Sequence, residues 1–124
     1  FSIENIEFLG DKNVKEKINN VLSGYKNRSD KAKKISLVIK GSKNIVIASK
    51  NLKGEAETKR IILDVNVKII LDKNNFLEKN FSKSSIYSVV DRKSEQKFIE
   101  DKLIENLSNE IALQIIFEIL KNTK

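Results

Sequence analysis

Histidine, cysteine, proline, methionine and tryptophan are all missing from this chain of 124 residues, and each absence excludes something. Without histidine the usual general base and the commonest transition-metal ligand are gone. Without cysteine there is no disulfide framework and no thiolate zinc site, and the pair of absences rules out both Ser-His and Cys-His nucleophiles. Glycine is scarce: Gly10, Gly24, Gly41 and Gly54 stand singly at element ends, so no glycine-rich phosphate loop exists. Aromatics number eight and do not interleave with cations as a base-stacking platform would. No apolar run reaches the ~18 residues of a membrane span; the most apolar stretch, "IALQIIFEIL", is short and holds Gln114 and Glu118. Asp64 and Asp72 lie apart on one strand pattern, while Asp91, Glu95, Glu100 and Asp101 belong to a charged helix start. Ordinary surface spacing accounts for all of them. The expectation is a protein that is not an enzyme and holds no metal or cofactor.

What is present is lysine, isoleucine and asparagine. The chain carries 21 Lys, 18 Ile and 14 Asn against 3 Arg, with a net charge of +7. These three abundant types share A/T-rich codons, so genome bias and solvation explain the average lysine, and the basic total is a weak pointer to an anionic partner. The arginines, Arg28, Arg60 and Arg92, are more informative because they are rare. With 40% apolar residues the chain can bury one core, and residues 1–124 read as a single domain without linker or repeat. It starts at Phe1 inside a strand-like "FSIENIEFL", as a mature or trimmed form would, with a removed signal segment as one candidate.

The hydrophobic period orders the elements. Phe1 to Leu9 reads as a strand ended by Gly10. Val14, Ile18, Val21, Leu22 and Tyr25 then fall on one helical face, with Asn13 and Glu16 as a capping box and Gly24 as the stop. Ile35, Leu37, Ile39, Ile45 and Ile47 keep one parity across Gly41, which favours one long strand bulged at Gly41 over a hairpin. Ile61 to Leu71 alternate as the clearest strand, "DKNN" turns the chain, and Phe76 to Val90 returns. A helix from about Ser94 to Lys121 closes the chain on a stripe of Ile99, Leu103, Ile104, Leu107, Ile111 and Ile115. The predicted fold is α+β, order β-α-β-β-β-α: a small mixed or antiparallel four-stranded sheet with one wet face and two helices on the other.

Grip is better supported than reaction. Lys50, Lys53, Lys59 and Arg60 flank the turn around Gly54, and Arg92 and Lys93 sit where the last strand meets the long helix. A helix N-terminus favours an anion there; the plain alternative is that Asp91 or Ser94 caps the helix and Arg92 is solvated. Beyond Ile111 the stripe overflows through Leu113, Ile116, Phe117 and Leu120. Either two elements of the same domain cover them, or Phe117 and Leu120 meet a partner.

In this order of elements the chain resembles the lipopolysaccharide-assembly lipoprotein family LptE, also called RlpB. The likeness covers nearly all of the chain and is strongest at "KGEAETKRIILDVNVKIIL" and at "SIYSVVDRKSEQKFIEDKLIENLSNEIALQI", where a cation precedes a Glu-Gln pair and an apolar-acidic helix. The lipidated cysteine of that family is absent here, and there is little C-terminal tail. The resemblance implies a protein anchored at the periplasmic face of the outer membrane through an N-terminal lipid. It implies a plug and assembly aid for the LptD β-barrel that binds lipopolysaccharide. On that reading Lys53, Arg60, Arg92 and Lys93 are the candidate phosphate-binding residues, Phe117 and Leu120 the candidate barrel contacts, and nucleic acid is no partner. Two alternatives remain: an auxiliary lipoprotein of a lipid-transporting ABC system, and a basic nucleic-acid-binding domain, which a steep salt dependence of oligonucleotide binding would reveal.

Overall fold

The fold described is that of a computed structural model, covering residues 1–28 and 32–123. Its elements are β1 (Ser2–Gly10), α1 (Lys12–Leu22), a single 3-10 turn (Ser23–Tyr25), β2 (Lys34–Lys50), β3 (Ala56–Asp72), β4 (Asn75–Ser88) and α2 (Lys93–Asn122). They form one four-stranded sheet in the order β1-β2-β3-β4. β1 runs parallel to β2, and the other two pairings are antiparallel. The sheet is mixed, and the α+β arrangement expected from periodicity is the observed one.

Strand parity builds the core directly. Leu37, Ile39 and Gly41 of β2 lie opposite Ile69, Val67 and Val65 of β3, while Ile35 lies opposite Ile3 of β1, and all of these aliphatic side chains are at most 1% exposed. Against them pack Val14, Ile18 and Leu22 of α1 and Ile104, Ile111, Ala112, Ile115 and Ile119 of α2. Each such aliphatic side chain contributes roughly 1.5–3 kcal/mol by leaving water. The opposite parity, Lys40, Ser42, Asp64, Asn66, Asn80 and Ser82, forms an uncovered polar strip on the other face of the sheet.

Three local expectations are corrected. The N-cap of α1 is Asp11, whose Oδ1 accepts from the Val14 N–H at 3.1 Å, so Asn13 and Glu16 make no capping box. Gly24 does not stop α1, which ends at Leu22 and tightens into the 3-10 turn. Residues 34–50 do form one strand, but it is unbroken at Gly41; its irregularities against β3 lie between Ile47 and Ser49 and between Ser49 and Lys50.

Gly41 has a different task. β1 ends opposite it at Gly10, whose φ of +118° suits glycine alone, and a Cβ on Gly10 would collide with the Gly41 carbonyl oxygen. A Cβ on Gly41 would press on the Phe8 ring and on Val14. The glycine pair lets β1 leave the sheet and lets α1 close over it. Beyond Gly41, therefore, β2 has no strand neighbour on the β1 side among the described residues, and α1, which turns back along β1, does not follow. The last part of the sheet is three-stranded and covered by the first turns of α2.

Candidate functional site

Two segments far apart in sequence meet at this three-stranded end. Antiparallel pairing places Thr58 opposite Ser88, Lys59 opposite Tyr87 and Arg60 opposite Ile86. The Val89 N–H donates to the Glu57 carbonyl at 3.0 Å. The β2–β3 turn and the β4–α2 corner thus share one end of the molecule, and with them Lys50, Lys53, Lys59 and Arg60 join Arg92 and Lys93.

Both segments are held by local hydrogen bonds. In the turn, Asn51 Oδ1 accepts from the N–H groups of Lys53 at 2.9 Å and Glu55 at 3.0 Å, and Gly54 adopts a φ of +82°. At the corner, Gln96 Oε1 accepts from the Val90 N–H at 2.8 Å. Tyr87 donates its hydroxyl proton to Glu100 Oε2 at 2.6 Å. Burial and the adjoining Glu100 carboxylate hold the Tyr87 phenol well above its ordinary range, so it stays a donor. Of the Glu-Gln pair that follows the corner cations, Gln96 is structural and ties the helix to the strand end, while Glu95 is exposed in the first turn.

Neither proposed cap is used. The N-cap of α2 is Arg92 itself, in extended conformation, with no side-chain hydrogen bond to the helix. The first turn holds Glu95 as its acidic residue. Arg92 and Lys93 are exposed, as is Lys53, whereas Arg60 is half-buried with Nη1 donating to Ser84 Oγ at 3.3 Å. Arg60 lies between Val46 and Ile86 on the open face of the sheet, while Lys59 points to the helix face. The cations share one end and are spread over both faces. All five ion pairs among the described residues lie elsewhere, on Lys17, Lys43, Lys79, Lys102 and Lys121. Glu55, Glu57, Asp91 and Glu95 interleave with the cations, but none is within ion-pair distance of Lys53, Arg60, Arg92 or Lys93.

Apolar side chains missed by sequence reading fringe the same end. Ile47 is 51% exposed, Ile86 51% and Phe98 63%, and Leu52, at the tip of the turn, is fully exposed. A signal for two of them was present: Phe98 falls off the Ile99–Leu103 stripe, and Leu52 sits in a turn where no packing partner is expected. The candidate site is a cationic end with an aliphatic and aromatic fringe.

At the opposite end, where α2 finishes, Ile116 is buried, but Leu113 is 60%, Phe117 65% and Leu120 44% exposed. Phe117 and Leu120 are not covered by the first helix or the sheet.

No protein-family model matches the chain, and no curated protein matches it. Solved structures do. A rare lipoprotein B from Shewanella oneidensis aligns with a TM-score of 0.67 at 12% identity, covering 96% of this chain and 98% of that one. Lipoprotein B from Nitrosomonas europaea aligns with a TM-score of 0.62 at 15% identity, covering 90% and 79%. A minor lipoprotein from Acinetobacter baumannii gives 0.60 at 14% identity, covering 90% of each. At such identities the likeness establishes the fold, which is the one these bacterial lipoproteins share.

Proposed function

We propose that the chain is a lipoprotein component of lipopolysaccharide assembly at the periplasmic face of the outer membrane, where it plugs and assists the LptD β-barrel and binds lipopolysaccharide. One observation carries the ligand half of this reading: one end of the sheet gathers Lys53, Arg60, Arg92 and Lys93, with no carboxylate of the described residues within ion-pair distance, beside exposed Ile47, Leu52, Ile86 and Phe98. An anionic amphiphile offers phosphates to the first set and acyl chains to the second. A nucleic acid fits less well, because the fringe is largely aliphatic and carboxylates interrupt the cations. The shared fold of the lipoprotein B structures supports the envelope setting, and the exposed Phe117 and Leu120 supply apolar area for a barrel wall.

The test is lipopolysaccharide binding by the purified chain. A charge-assisted contact of this kind is worth roughly 1.5–3 kcal/mol, so Arg92→Ala and Lys53→Ala should each weaken binding at least about tenfold without lowering the melting temperature. Added salt should weaken binding further, since exposed charges are screened beyond about 8 Å at physiological ionic strength. Binding that is indifferent to both substitutions and to salt would end the phosphate reading.

A further inference from the structure

β4 is the last strand of the sheet, and along Asn75–Ser88 its outer side has no strand partner among the described residues. Every second residue of such an edge presents an unpaired N–H and C=O, a template for another strand. Natural edges are commonly blunted by proline, bulges, cover or charge, lysine above all. Of these β4 carries the last, in Lys79 and Lys83, which repel a like edge and leave room for an acidic one. β4 has no proline, and its register with β3 shifts only beside the turn, between Ile70 and Asp72. Directly alongside, a groove of about 360 Å³ runs between β4 and α2, lined by Phe81, Leu113, Gln114, Phe117, Glu118 and Lys121. Its two large helix side chains, Leu113 and Phe117, are more than half exposed. Backbone groups without partners and apolar side chains without cover therefore lie next to each other.

We propose that the β4 edge takes up an extended segment of a partner protein as a fifth strand, with apolar residues at alternate positions filling the groove over Phe81, Leu113 and Phe117. Adjacent strands lie about 4.8 Å apart with side chains alternating between faces, so one parity of the added strand points to the side where the groove lies. A docked helix would cover the apolar groove and leave the edge amides unpaired. Charge favours carboxylates on the same segment, because Lys79, Lys83 and Lys121 border the site and, among the described residues, only Glu118 is within ion-pair distance of any of them. A second copy of the chain would bring its own Lys79 and Lys83 to that edge and a net charge of +7, and like charges facing across strands destabilise. The occupant is thus a foreign acidic-apolar strand, recognised by strand addition. This deepens the partner half of the proposed function, and it lies away from the cationic end.

The probe is a fluorescein-labelled peptide of alternating valine and glutamate, compared with the same peptide interrupted by proline. The alternating peptide should bind the intact chain and slow amide hydrogen exchange at alternate residues of β4 at least about tenfold at saturation. Phe117→Lys and Leu113→Lys, both at exposed positions, should each weaken binding about tenfold or more while leaving the melting temperature unchanged. Absence of binding, equal binding of the interrupted peptide, or protection confined to other strands would overturn the proposal. So would β4 protection that grows with protein concentration in the absence of peptide, which would make a second copy the occupant. Because the probe contains no lipid, its failure leaves the lipopolysaccharide reading of the other end standing.

Discussion

The two ends of the sheet use the same strands but differ in what covers them. At the closed end, four strands lie under two helices, and Ile35, Leu37, Ile39, Val65, Val67 and Ile69 are lost to solvent almost completely. At the other end β1 has left, α1 has turned away, and three strands carry one helix start. There Ile61, Leu63 and Tyr87 are still buried, but Ile47 and Phe98 are half exposed or more, and the turn and corner are held by hydrogen bonds to Asn51 and Gln96. Stability is concentrated where the apolar groups are enclosed, and the sparsely covered end is free to present charge and apolar area to a ligand. The division begins at one point in the chain, the Gly10–Gly41 crossing.

The largest expected effect sharpens this division within α2 alone. Ile111 and Ile115 are both fully enclosed, so replacing either with Ala should cost about 2–5 kcal/mol in urea unfolding. Phe117, on the same helix but 65% exposed, should cost within about 0.5 kcal/mol when truncated. If the chain plugs a β-barrel as proposed, loss of this side chain should instead reduce recovery of that complex. A Phe117→Ala variant destabilised as much as Ile111→Ala would assign that side chain to the core and remove it from any interface.

Element order and the core were legible in the sequence because both follow from local periodicity: alternation in β3, and the i, i+3, i+4 stripe of α2. What escaped depended on contacts distant in the chain. Unbroken parity through Gly41 fitted a bulge there as well as a smooth strand, and the need for glycine came from Phe8 and Val14 pressing on it. Asp11 and Asn13 are equally good caps by type, and the turn at Gly10 chose between them. The basic residues were visible as two clusters; that they form one end depends on β3–β4 register, which places Arg60 beside Ile86. Exposure of Ile47 follows from the length of β1, a property of another element altogether.

A smaller effect tests how the corner is fastened. Tyr87 is 7% exposed and donates to Glu100, so Tyr87→Phe should cost about 1–2 kcal/mol at neutral pH by leaving Glu100 short of a donor. The pH dependence has a definite sign. A phenol whose value is raised in the fold keeps its proton where the unfolded chain loses it, so the native state binds more protons above the ordinary tyrosine value of about 10. Its contribution is fully present below that value and declines as pH rises beyond it. The wild type should therefore lose more stability than Tyr87→Phe on going from neutral pH to above about 10, and of the two tyrosines one should ionise late in ultraviolet titration. Equal losses in the two proteins would mean that the hydroxyl is free to reach water.

The smallest effect bears most directly on function. Asp11 caps α1 with its side chain, whereas α2, nearly three times as long, starts on Arg92 with no side-chain cap at all. Serine at an N-cap is worth about 0.5–2 kcal/mol over residues that cannot accept from the helix N–H groups. Arg92→Ser should accordingly raise stability by up to about 1 kcal/mol, near the low end because Gln96 already ties the corner to Val90. If the cationic end binds lipid phosphate, the same substitution should weaken lipopolysaccharide binding about tenfold, so the two measurements move in opposite directions. That opposition is expected where a helix start is shaped for a ligand at the expense of its own stability. Gain of stability with undiminished binding would show that the arginine at this corner does nothing a better cap could not replace, and would leave Lys53 and Arg60 as the cations to examine.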